Sequence, residues 1–121
     1  AALSEFGAGF LSFATSPNSV ATQRLLVAEA DRSGVGRLFF AKITNLLGFV
    51  AAFLTKMMEA GVLRTDDAQL AAAHLRALLE AEVIEPLLLH VRDNSPDEAE
   101  IMQAVRRAVA VFLRAYAPSA R

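Results

Sequence analysis

A chain of 121 residues with 55% hydrophobic side chains, a net charge of -1 and no cysteine fits one domain, residues 1–121, around a single core. The charge excludes a polyanion-binding surface, which would show a basic face, and the missing cysteine excludes disulfide scaffolds and thiolate metal sites. The hydrophobic fraction exceeds the ~45–50% usual for soluble domains; alanine, favourable in helices, explains part, and the rest predicts surface that a partner, a ligand or a membrane covers.

Strand signals are missing: there is no sustained two-residue alternation and no Asn-Gly or Asp-Gly turn. Apolar residues recur at helical spacing throughout, which predicts an all-α chain. Phe6, Phe10 and Phe13 share one face of a first helix over Ala2–Ala14. Ser16-Pro17 breaks it, because the residue before proline is steered away from helix. A second helix is expected from about Asn18 to Arg32, apolar on most sides (Val20, Leu25, Leu26, Val27), as suits the centre of a bundle. Arg24 and Glu29 within it read as a structural polar pair. Ser33-Gly34-Val35-Gly36 is a corner.

The third helix is predicted over Arg37–Ala60, with a possible break near Ala41. Gly48 inside it costs about 1 kcal/mol relative to alanine, which close helix packing would offset. Met58–Ala73 then forms a joint. Gly61 fits the left-handed position that ends a helix, and Asp66 with Gln69 fits a reciprocal helix-start box. A fourth helix follows over about Ala68–Arg92, with a kink at Pro86 or a break just before it. In Ser95-Pro96-Asp97-Glu98, Ser95 is the expected cap, Pro96 the first helical residue and Glu98 the closing partner. The fifth helix runs to about Tyr116 and stops at Pro118.

The faces of these helices carry the functional reading. The last helix gathers Gln103, Arg106, Arg107 and Arg114 in one sector and leaves an apolar arc of roughly 200°, about twice the stripe one core needs. The fourth helix shows the same doubling. Such surplus predicts a second copy of the chain, with Leu79, Glu82, Val83, Pro86, Met102, Val105, Val109, Phe112 and Leu113 at the contact. Glu82 and Glu85 fall inside an apolar sector, where a carboxylate needs a partner: an arginine across an interface, a ligand, or solvent at a rim. Phe49, Phe53 and Met57 of the third helix either fill the core or face Phe6 and Phe10 across an incompletely filled space. Phe6, Phe10, Leu26, Phe49, Phe53, Met57, His74 and Leu78 are the candidate lining of a site for a small apolar molecule. His74 is either a satisfied core histidine or a hydrogen-bond donor to that ligand.

Several chemistries have no support. His74 and His90 lie roughly 24 Å apart along a straight helix, too far to share a metal. No serine sits in a nucleophile elbow, and no glycine-rich phosphate loop occurs. No cofactor and no enzymatic activity are expected. Leu46–Leu54, bounded by Lys42 and Lys56, is too short to span a bilayer, and no signal peptide is visible. The chain opens without Met and directly in a helical pattern, which leads us to expect a further N-terminal part.

The order of four segments resembles the C-terminal domain of the TetR family of bacterial transcriptional repressors: R-L-L-V-A-E-A-D-R (Arg24–Arg32), L-F-F (Leu38–Phe40), E-A-G-V-L-R-T-D-D-A-Q-L-A-A-A (Glu59–Ala73) and V-F-L-R-A-Y (Val111–Tyr116). The resemblance covers nearly the whole chain. It implies a bundle of five or six helices, the last two long ones forming a dimeric four-helix bundle, in a cytoplasmic homodimer whose earlier helices hold a small hydrophobic effector. It also implies an N-terminal helix-turn-helix domain that reads operator DNA. No basic helix-turn-helix pattern precedes Ser16, so operator DNA is a partner only through that missing domain, with the first helix (Leu3–Phe13) as the link. Two alternatives stay open: a stand-alone carrier of hydrophobic molecules, and a structural oligomerisation module without a cavity. The reading frame upstream of Ala1 separates the repressor from the carrier; native mass spectrometry with hydrophobic ligands separates both from the module.

Overall fold

The computed structural model describes residues 2–118. Six helices carry them: α1 (Ala2–Ala14), α2 (Pro17–Ala28), α3 (Val35–Glu59), α4 (Ala68–Glu80), α5 (Ile84–Leu88) and α6 (Glu98–Ala115), with no strand among the described residues. This is the all-α architecture expected. The α1–α2 corner forms where Ser16-Pro17 predicts it. The Ser16 hydroxyl accepts from Ser19 N (3.3 Å) and donates to Phe13 O (2.8 Å), and Pro17 opens α2, where a missing N–H costs nothing. α2 is shorter than expected and stops at Ala28. Arg24 does not pair with Glu29; it donates to the carbonyls of Leu87 and Leu88 at the end of α5, while Glu29 meets Arg32 at 3.0 Å.

α3 runs unbroken through Ala41. Gly48 faces open space rather than a close neighbour, so nothing in the packing offsets its cost. Gly61 ends the segment at φ 79°, the left-handed geometry glycine tolerates without strain. The next helix is capped by Asp67, whose carboxylate accepts from Leu70 N at 3.1 Å, not by Asp66. Asp66 is taken by Arg64 (2.9 Å) and by the Asp67 N–H (2.7 Å), and Gln69 reaches Thr44 O instead of closing a box. Arg64 in turn donates from its backbone to Tyr116 O (2.8 Å) and from its side chain to Ala115 O (2.9 Å). The joint thereby satisfies the orphan carbonyls that end α6.

The expected fourth helix is two helices. It breaks at Ala81–Val83, upstream of Pro86. Pro86 sits in the first turn of α5, where its absent donor is tolerated; a continuous helix would drive its ring into the carbonyl one turn back. α6 is capped by Asp97 with Glu100 in a reciprocal box (2.8 and 3.0 Å), not by Ser95 and Glu98. The Ser95 hydroxyl is used elsewhere, donating to Thr15 O at 3.1 Å. Arg92 grips Glu100 with two bonds of 2.8–2.9 Å. These donors, with Asp97 N, hold the Glu100 carboxyl down to about 2.

α4 lies between α3 and α6, α1 crosses α6, and α2 rests on α3 and α5. Leu11, Leu54, Leu75, Leu79, Val105 and Phe112 have no exposed surface. α1 packs tightly at Gly7: a Cβ there would meet Leu79 Cδ2 at 2.9 Å and Val105 Cγ1 at 3.1 Å, so a larger residue would force these two core side chains to shift. α6 therefore has two neighbours inside its own subunit. Its wide apolar arc, read as surplus, is largely absorbed by α1 and α4. α3, at 25 residues, is long and apolar enough by length and composition to cross a membrane, against the expectation that no segment is. Here one face packs on α4, and Leu47, Val50, Ala51, Leu54 and Met58 are buried in the shared core.

Candidate functional site

Two cavities adjoin between the helices. The larger, about 520 Å³, has an apolar wall from Phe10 and Phe13 of α1 and from Phe39, Ile43 and Leu46 of α3. Its polar side comes from Ser19, Thr22 and Gln23 of α2 and from Arg76 and Glu80 of α4. The smaller, about 290 Å³, is lined by Ala2, Leu3 and Phe6 of α1 and by Leu46, Phe49, Val50 and Phe53 of α3. Leu46 borders both. Phe6 in the smaller cavity and Phe10 in the larger stack with ring centroids 6.0 Å apart, so one aromatic surface continues along α1 from one space into the other.

Helical spacing places these groups. Phe6, Phe10 and Phe13 follow at three and four residues, one face of α1. Arg76 and Glu80 are one turn apart on α4 and pair at 3.0 Å. Both are half-buried. Burial pushes the Glu80 carboxyl up, and Arg76 offsets only part of that. Gln23 donates to Ala14 O at 2.9 Å, and its side-chain carbonyl has no hydrogen-bond partner among the described residues. The larger space is thus a mostly apolar chamber with one self-neutralised ion pair and a few hydroxyls, the usual composition of a small-molecule site.

The expected lining is only partly brought together. Phe10 borders the larger cavity, and Phe6, Phe49 and Phe53 the smaller. Met57 and Leu78 pack against the core and line neither. Leu26 is half-buried on α2 and lines neither. His74 faces away: its Nδ1 lies 2.7 Å from the Tyr116 hydroxyl, tying α4 to the end of α6. His90 is exposed, 3.3 Å from Asp93. The polar members Gln23, Arg76 and Glu80 were missed. The signal existed in the Arg76–Glu80 spacing at the edge of an apolar face, but nothing local tells which side of α4 meets a void.

The expected contact face divides as well. Leu79, Val83, Val105, Val109 and Phe112 are buried in the subunit's own core, so their side chains are not available to a second copy. Glu82 finds its arginine within the chain: Arg107 holds it with bonds of 2.6 and 2.8 Å, which keeps its carboxyl below the usual range. Pro86 and Met102 are half-buried, and Leu113 is 40% exposed. α4 and α6 run antiparallel, His74 meeting Tyr116 at one end and Glu82 meeting Arg107 further back. On this pair Leu70 and Ala77 of α4, Ala81 just beyond its end and Val111 of α6 are exposed. No group of three or more His, Cys, Asp or Glu side chains is placed to share a metal among the described residues.

Residues 1–118 match the family model described as AefR-like transcriptional repressor, C-terminal domain. A solved TetR-family transcriptional regulator from Mesorhizobium loti MAFF303099, a family assignment made for that protein provisionally, superposes with a TM-score of 0.86 at 25% identity. The alignment covers 95% of this chain and 57% of that one, so the present chain spans little more than half its length. No curated protein is matched.

Proposed function

Since the chain belongs to the TetR family of transcriptional regulators, as a C-terminal regulatory domain, we propose that it senses a small, largely apolar effector and dimerises, and that effector binding alters operator binding by an N-terminal DNA-reading domain. The observation that carries the reading is the chamber of about 520 Å³ between α1, α2, α3 and α4. α1 is the element best placed to report occupancy. It lines both cavities and packs on α4 and α6 at Gly7, so a ligand pressing on it acts on both. A ligand shifts such an arrangement only by binding one conformation better than the other. Because operator half-sites on one face of DNA lie about one helical turn apart, a small change in head spacing then weakens repression.

The dimer in this proposal forms on the α4/α6 pair through the outward residues Leu70, Ala77, Ala81, Val111 and Leu113, with Met102 and Pro86 at its edges. Glu82 contributes by fixing Arg107 rather than by crossing the interface. A regulator of this kind works in the cytoplasm without catalysing a reaction.

The test uses the protein carrying its DNA-reading segment. Native mass spectrometry should give a dimer at micromolar concentration, and a bound hydrophobic ligand should weaken operator binding in a gel-shift assay. A ligand that fills the chamber and leaves operator affinity unchanged rejects the sensor reading in favour of a carrier; a monomer rejects the dimer.

A further inference from the structure

Resting on the reading of the chamber as an effector site, we propose that the effector is an elongated, uncharged amphiphile. Its hydrogen-bonding head sits at Arg76–Glu80, and its alkyl tail passes Leu46 into the apolar cavity between Phe6 and Phe53.

The first argument is continuity. Leu46 is a shared wall of both cavities and is itself 42% exposed, so it is a sill rather than a buried partition. The stacked Phe6–Phe10 pair extends the opposite wall past it. The smaller cavity holds no charged or polar side chain. Beside it Phe49 is 78% exposed, leaving apolar surface that a tail would remove from water. From Leu46 to Phe53 the groove follows α3 for about 10 Å. Three chain bonds advance about 3.5 Å when extended, so this length takes roughly eight or nine methylenes.

The second argument is charge. Arg76 and Glu80 are the charged residues of the larger cavity, and they already neutralise each other at 3.0 Å. An anionic head would face Glu80 and a cationic head Arg76, each leaving a partly desolvated charge uncompensated. What the pair offers is polarity without net charge. Arg76 spends Nε on Glu80, and its two Nη groups have no hydrogen-bond partner among the described residues. A head that both accepts and donates, such as an amide or a hydroxyl, fits the free donors of Arg76 and the free carbonyl of Gln23.

Isothermal titration of N-alkylacetamides with four to twelve alkyl carbons tests this, alongside alkyl carboxylates and alkylammonium ions of equal length at pH 7. Each added methylene should tighten the acetamides by about fourfold, levelling only past eight or nine carbons because the chain must also cross from Arg76–Glu80 to Leu46, and either charged series should bind at least about tenfold more weakly. Leu46→Trp should flatten the series so that butyl and octyl chains bind alike, with circular dichroism checking the fold. Glu80→Gln should reverse the head preference toward carboxylates, since Arg76 is then unpaired. A short acetamide that binds without any length dependence, or a length dependence that Leu46→Trp leaves intact, overturns the tail route while the effector reading stands. Tighter binding of a charged series overturns the head assignment. Binding by none of the probes, short or long, overturns the effector reading itself.

Discussion

The slab formed by α4, α6 and the second half of α3 differs from the end formed by α2 and the first half of α3. In the slab Leu54, Leu75, Leu79, Val105 and Phe112 are sealed from solvent, and polar groups tie its helices together: Arg64 to the last carbonyls of α6, Glu82 to Arg107, His74 to Tyr116. At the other end α2 buries only Val20, and Leu25, Val27, Leu38 and Phe40 stand in solvent. The larger cavity opens between the two. Stability and adaptability are thus kept apart: the packed slab holds the fold, and the loosely packed end can move around a ligand without unfolding it.

The contrast is broken most severely by Phe112→Ala. Deleting a fully buried ring removes its transfer energy and leaves a cavity, about 3–5 kcal/mol; urea unfolding should show the loss, and a cost under about 1 kcal/mol would mean that the slab is not the folding core. Tyr116→Phe removes the hydroxyl that meets His74 and should cost about 1 kcal/mol in the same assay. A stability equal to the native chain would show that this latch carries nothing.

A smaller effect follows from acid. The folded-state value of Glu100, about 2, lies below the ordinary 4.5, so its contribution is complete above about pH 4.5 and fades as pH falls toward 2. Glu100→Gln should therefore melt below the native chain at pH 7, with most of that gap gone at pH 2; a gap undiminished at pH 2 would contradict the Arg92–Glu100 assignment. The smallest effect sharpens the comparison from the loose end. Phe40→Ser, at a residue 68% exposed, should change stability by less than about 0.5 kcal/mol, and amide exchange should be fastest over α2 and residues 35–46. Slow exchange there would show that this end is covered rather than free.

Much of the fold was legible because its punctuation is local. Ser16-Pro17 breaks a helix wherever it occurs, Gly61 ends one by adopting φ 79°, and Pro86 forbids a continuous helix across the turn before it. These effects act through sterics within a few residues, so the sequence by itself determined an all-α chain with joints at these positions, and the ordered segments from Arg24 to Tyr116 carried the family resemblance. Caps were misread at Asp66 and Ser95 because competing partners hold those side chains: Arg64, itself bound to the end of α6, and the carbonyl of Thr15. The same limit governed the site. Periodicity showed that α6 had a broad apolar arc, but only the tertiary structure decided that α1 and α4 fill most of it, that His74 turns to Tyr116, and that Arg76 and Glu80 border a void. Side chains on one helix are set by the pitch of that helix, whereas a cavity is what several helices fail to fill together, and no single stretch of sequence encodes that remainder.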